Sequence, residues 1–129
     1  MENGARHIVV AVNDDFRVRE SLESLIESAG YEALLFSSAE EFLLLGAVAA
    51  AACVITGVRM EAMDGIELQH RTRPDHPAVS VAFITAHENS DEIRRQAFDE
   101  GAVAFLYKPF NAADLLERMQ AAPASNREK

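Results

Sequence analysis

The chain alternates short, unbroken apolar runs with stretches whose apolar residues recur every three or four positions. Residues 8 to 12, IVVAV, carry no polar interruption, the pattern of a strand covered on both faces. After Asn13-Asp14-Asp15, the residues Val18, Leu22, Leu25, Ile26 and Ala29 fall at helical spacing, and Gly30 is the stop. EALLF, 32 to 36, predicts a second strand, and Ser37-Ser38 can cap a helix from about Ala39 to Leu45. The low-complexity stretch GAVAAAA, 46 to 52, hides a boundary that periodicity does not place. CVIT, 53 to 56, predicts the third strand. Asp64 is expected to cap a short helix that Pro74 and Pro77 end. VSVAFIT, 79 to 85, is the fourth strand, and DEIRRQAFDE, 91 to 100, is a helix stopped by Gly101. VAFLY, 103 to 107, is the fifth strand. Leu115, Leu116 and Met119 mark a last helix, and ASNREK reads as a frayed tail.

Five buried strands alternating with five helices predict an α/β fold, a doubly wound parallel sheet with helices on both faces. In such sheets the functional crevice lies at the carboxyl ends of the strands. Asn13, Asp14 and Asp15 follow the first strand, and Gly57 follows the third. Thr85-Ala86 ends the fourth, and Lys108-Pro109-Phe110 follows the fifth. An acid, a hydroxyl and a lysine therefore converge on one edge, with a glycine between them.

Composition narrows the function classes. The 129 residues suit one domain with one real core. A net charge of -9 argues against unaided nucleic-acid binding, which needs a basic footprint. No run of about 18 apolar residues suggests a membrane span, and MENGARHIVVAV does not read as a secretory signal. The one cysteine, Cys53, sits in an apolar strand and cannot form an internal disulfide, so a reducing cytoplasm is expected. His7, His70, His76 and His87 lack zinc-site spacing, and there is neither a P-loop nor a G-x-G-x-x-G. No catalytic residue is assigned, and no enzyme is expected.

The acidic cluster after strand one, "MEAMDG", "ITAH" and "YKPF" occur in order at the right strand ends. Together they resemble the receiver domains of bacterial response regulators, the CheY-like family, and most of all the FixJ-type receivers. The resemblance covers about His7 to Ala121. It implies the flavodoxin-like strand order 2-1-3-4-5, a domain over residues 1 to 122, and 123 to 129 as a tail or the start of a linker. It carries the family's phosphoacceptor position onto Gly57 and its two magnesium-holding acids onto Asn13 and Asp14. It carries the phosphoryl-contacting hydroxyl and lysine onto Thr85 and Lys108, and the switch aromatic onto Phe105. Pro109 becomes a candidate cis proline, and Glu61 stands where a proline is usual.

The departures set the functional expectation. Gly57 has no carboxylate and cannot form an acyl phosphate. Mg²⁺ wants carboxylate oxygens. With Asn13 an amide and only Asp14 left as a ligand, its binding is expected to be weak or absent. No cofactor is expected. Lys108 is expected to pair with Asp14 at about 4 Å or less, and a small anion or waters can occupy the space beside Gly57. Asp15 is read as a helix cap. Phe105 reads equally as a switch or as a core aromatic. The face of helix four, strand five and helix five, with Arg94, Arg95, Phe98, Tyr107 and Arg118, is the expected signalling and dimerisation surface. The plainer reading buries Phe98 and pairs the arginines with Asp91, Asp99 and Glu117.

The leading expectation is a degenerate receiver, or pseudo-receiver, in a two-component pathway. It would act as a phosphorylation-independent interaction and dimerisation module for a histidine kinase or an output domain. One alternative is a FixJ-type transcription regulator whose DNA-binding domain lies outside this chain. The other is a receiver phosphorylated on Asp14 or Asp15.

Overall fold

The computed structural model describes residues 8–44, 51–58, 60, 63–74, 76, 79–85, 91–108, 111 and 113–118. Five strands, β1 (Ile8–Val12), β2 (Glu32–Phe36), β3 (Ala51–Gly57), β4 (Ser80–Thr85) and β5 (Ala104–Tyr107), form one sheet in the order β2-β1-β3-β4-β5. Every neighbouring pair is parallel. Helices α1 (Phe16–Ser28), α2 (Ala39–Leu44), α3 (Gly65–Thr72) and α4 (Asp91–Asp99) connect the strands, and residues 113–118 form α5. The strand order and the alternation of elements are those expected from the sequence.

Strand periodicity sorts the core into two layers. Val9, Ala11, Cys53, Ile55, Ala82, Ile84 and Ala104 face Leu22 and Ile26 of α1 and Leu115 of α5. The alternate residues Val10, Val12 and Val54 face Phe42 of α2 and Leu68 of α3. On the same side, Val81, Phe83 and Phe105 meet Ala97 of α4. The strands are covered on both faces, which is why their sequences read as continuous apolar runs rather than as alternations.

Local signals set most helix ends. Gly30 and Gly101 take φ +91° and +99°, so each can stop the helix before it. The Asp64 carboxylate accepts from Glu67 N at 2.9 Å and starts α3. That helix ends at Thr72, before Pro74. The Ser38 hydroxyl accepts from Glu41 N at 3.1 Å at the start of α2.

The third strand is longer than CVIT. It starts at Ala51, inside the alanine-rich stretch, and its register against β1 slips between Ile8 and Val9. Alanine is a poor strand former by propensity, so strand pairing rather than local preference decides there. Leu45, Pro77, Met119 and the tail over 123 to 129 lie outside the described residues. Among the described residues, no helix is long and apolar enough to cross a membrane.

Candidate functional site

The loop after β1 is held by its own side chains. Asn13 N donates to Phe36 O at 3.1 Å and continues the β1–β2 ladder by one residue. The Asn13 side chain is 6% exposed, and its Oδ1 accepts from Asp15 N at 2.9 Å. Arg19 Nη1 donates to Asn13 O at 2.7 Å. Asp15 is the N-cap of α1, accepting from Arg17 N at 2.9 Å, as expected of it. Asp14, between two residues whose carboxyl or amide oxygens are engaged, is exposed.

Gly57 closes β3 and pairs with Ile84. Among the described residues, positive φ occurs at Gly30 and Gly101 and not at Gly57. Its backbone is therefore one that any L-residue adopts, and no tight turn requires a glycine there. A methyl group there would stand 2.9 Å from Nδ2 of Asn13 and 3.7 Å from Cγ of Met60. The obstacle is the Nδ2 end of one amide side chain and not backbone. Gly65 differs: a methyl group there would run into the Gly57 carbonyl. Gly65 N donates to Val58 O at 2.8 Å, and the Thr56 hydroxyl donates to Gly57 O at 2.9 Å. The start of α3 is thus laid directly on the end of β3.

Thr85 closes β4, 4% exposed and paired in register with Tyr107. Lys108 N donates to Thr85 O at 2.8 Å and continues β5 by one residue. Asn13, Gly57, Thr85 and Lys108 thus stand side by side along the carboxyl edge, as the sequence suggests. The expected Lys108–Asp14 ion pair is corrected: among the described residues, none within 4.0 Å joins them. β3 and β4 lie between their two strands, a backbone separation of about 14 Å at ordinary strand spacing. The short Asp14 side chain is turned to solvent and cannot bridge that gap. Pro109, Glu61, Ala86 and Phe110 lie outside the described residues.

Phe105 is 4% exposed, edge-to-face with Phe83 at 5.7 Å and with Tyr107 at 5.6 Å. Its ring is part of the core. Phe98 packs against the same cluster and carries Arg94 over its ring at 5.1 Å. The expected arginine pairings are also corrected. Arg118 pairs with Asp114 at 3.2 Å, one helical turn away, rather than with its neighbour Glu117. Among the described residues, neither Arg94 nor Arg95 pairs with Asp91 or Asp99.

Two features escaped the sequence reading. Gln69 is 2% exposed and donates from Nε2 to Ala97 O at 3.1 Å, tying α3 to α4. No periodic signal marks it. Asn111 caps α5, accepting from Ala113 N at 2.8 Å, and an Asn just before an apolar helix could have announced that.

Comparison with known proteins agrees with this geometry. The model of the response regulator receiver domain family matches residues 9–120. The chain is 33% identical over 127 residues to the transcriptional regulatory protein TdiR of Thauera aromatica, covering 98% of this chain and 56% of TdiR. It is 35% identical over 116 residues to the transcriptional regulatory protein FixJ of Bradyrhizobium diazoefficiens, covering 90% of this chain and 56% of FixJ. The chain spans about half the length of the curated relatives it matches. A response regulator receiver domain protein from Clostridium thermocellum superposes with a TM-score of 0.86 over 94% of this chain and 97% of that one. At 24% identity that is a likeness of fold. A family match across nearly the whole chain, on a sheet in receiver order, means that the chain belongs to the response regulator receiver domain family of two-component signalling.

Proposed function

We propose that this receiver domain is a phosphorylation-independent interaction and dimerisation module, switched neither by an aspartyl phosphate nor by Mg²⁺. The observation that carries the reading is Gly57. It occupies an ordinary strand position at the edge where the family resemblance puts the phosphoacceptor, and it offers no carboxylate. Formation of an acyl phosphate needs that nucleophile.

The remaining donor set does not fit Mg²⁺ either. The ion favours octahedral oxygen ligands supplied by one or two carboxylates. Asn13 Oδ1 is engaged by Asp15 N, Asp15 caps α1, and Asp14 is the one carboxylate left uncommitted in this loop. The same geometry disfavours phosphorylation on Asp14 or Asp15, because neither lies on β3 beside Thr85 and Lys108. The partners proposed are a histidine kinase or an output domain. The face proposed for them, and for a second copy, is that of α4, β5 and α5, where Arg94 stacks on Phe98. Relatives that continue beyond the matched segment support a second reading. In it, a DNA-binding domain outside this chain supplies a transcriptional output, as in FixJ-type regulators.

The test is intact mass after incubation with acetyl phosphate and Mg²⁺. The parent chain is expected to stay unmodified, while an Asn13→Asp/Gly57→Asp variant gains one phosphoryl group. A phosphoryl adduct on the parent that disappears in Asp14→Asn would overturn the reading.

A further inference from the structure

Among the described residues, buried side-chain polar atoms go without partners in one place, the seam between α3 and α4. Gln69 and Thr72, each 2% exposed, lie three residues apart on one face of α3. Neither Gln69 Oε1 nor Thr72 Oγ1 has a hydrogen-bond partner. The other end of the Gln69 amide is engaged: Nε2 donates to Ala97 O of α4 at 3.1 Å. That carbonyl already accepts from Glu100 N at 3.2 Å and from Ala102 N at 3.0 Å, the bonds that close the last turn of α4 around Gly101. The buried tie from α3 is therefore the third claim on a single acceptor, whose oxygen has two lone pairs. Beside it, Glu100 meets His70 and Arg73, both at 3.7 Å, in pairs open to solvent that add little.

Little else holds α4. Ala97 is its one buried residue, where α1 buries Leu22 and Ile26. Ile93 and Phe98 pack against the core only in part. A helix of 9 residues is too short to persist without packing. Each orphaned polar atom loses its water on closure and gains no partner, so it weighs against the closed seam and not against an open one. Few buried apolar contacts beside uncompensated polar groups mark the low-stability end of a fold. From these observations we infer that the α3–α4 seam is a built-in release. The last turn of α4 lets go of α3 as a local, reversible step that hydrates Gln69 Oε1 and Thr72 Oγ1 while the centre of the sheet stays folded. The release goes beyond the proposed interaction module. It gives the helix that carries Arg94 and Phe98 a second state, and it stands whether or not that face binds a partner.

The test is native-state hydrogen exchange of the full chain, read by ¹H–¹⁵N NMR without denaturant and corrected for intrinsic rates. It compares the Glu100, Gly101 and Ala102 amides, whose bonds end on α4 carbonyls, with the amides of β1 and β3. The first set is expected to exchange at least about tenfold faster than the sheet. Thr72→Val removes the orphaned hydroxyl and keeps the shape, so it should slow that set by about tenfold, the scale of one unsatisfied buried group. Thr72→Ser keeps the hydroxyl and should give no slowing. Exchange at the rate of the sheet overturns the release. So does a Thr72→Val chain in which these amides are unchanged or faster, or one that fails to fold, because the hydroxyl would then cost nothing in the closed seam. Acetyl phosphate labelling by mass does not read α4, so either reading can fail without the other.

Discussion

Gly57 and Gly65 lie eight residues apart and touch, yet they are glycines for different reasons. At Gly65 a side chain would meet the backbone carbonyl of Gly57, which cannot move without parting α3 from β3. At Gly57 it would meet only the end of the Asn13 amide. One glycine is demanded by the fold and the other is merely permitted by it. The contrast matters because a residue the fold does not require leaves room for an explanation in chemistry, and the one proposed above is a missing carboxylate.

The largest effect is expected where the backbone is in the way. Gly65→Ala should destabilise the protein by about 3 kcal/mol, the upper part of the range for overpacking, measured by urea unfolding. A cost below about 1 kcal/mol, again on the overpacking scale, would mean that α3 can lift off the end of β3, and the distinction between the glycines would collapse.

The buried end of β3 offers a second contrast with its edge. Burial pushes the Cys53 thiol from 9.0 up to about 12. The folded chain therefore holds a proton that the unfolded chain releases above pH 9. The stabilisation from this group is complete below pH 9 and falls as the pH rises toward 12. Between those limits the loss should be roughly 1 kcal/mol per pH unit. A Cys53→Ala variant should be less stable at neutral pH but show a shallower alkaline slope. Equal slopes would remove Cys53 from the account. The same burial should keep the thiol unreactive toward a disulfide reagent until the protein unfolds.

Next comes the cap beside Gly65. Asp64→Ala should cost about 1 kcal/mol through loss of the hydrogen bond to Glu67 N. If Gly65→Ala cost no more than this, capping rather than close approach would explain the joint.

The sequence made the strands, the helix stops at Gly30 and Gly101, and the caps at Asp15 and Asp64 legible, because each depends on a residue type at a fixed local offset. The start of β3 was not legible, because alanines carry no strand signal and partner strands decide. The edge was legible as a row of residues but not as a set of contacts. The row follows from topology. Lys108 and Asp14 look adjacent when motifs are aligned, yet β3 and β4 separate their strands. That Asn13 is buried and Asp14 exposed follows the strand alternation past Ala11, but the hydrogen bond from Asp15 N to the Asn13 amide oxygen is a contact that no periodicity encodes. Gln69, a polar residue deep between α3 and α4, was hidden for the same reason.

The smallest effect is the most informative. Gly57→Ala should change stability by less than about 0.5 kcal/mol. The alanine restricts the unfolded chain, a gain of about 0.4–1 kcal/mol, while displacing the Asn13 amide costs a similar amount. The two terms separate in a double-mutant cycle. In an Asn13→Ala background the obstacle is gone, so Gly57→Ala should become stabilising by about 0.5 kcal/mol, a coupling of the size seen for residues in contact. The Asn13→Ala change itself loses the hydrogen bond to Asp15 N, which enters both arms of the cycle equally and cancels. If Gly57→Ala is strongly destabilising in both backgrounds, the obstacle is backbone. Gly57 would then join Gly65 as a glycine of the fold, and the place that the family resemblance gives it would no longer need a functional explanation.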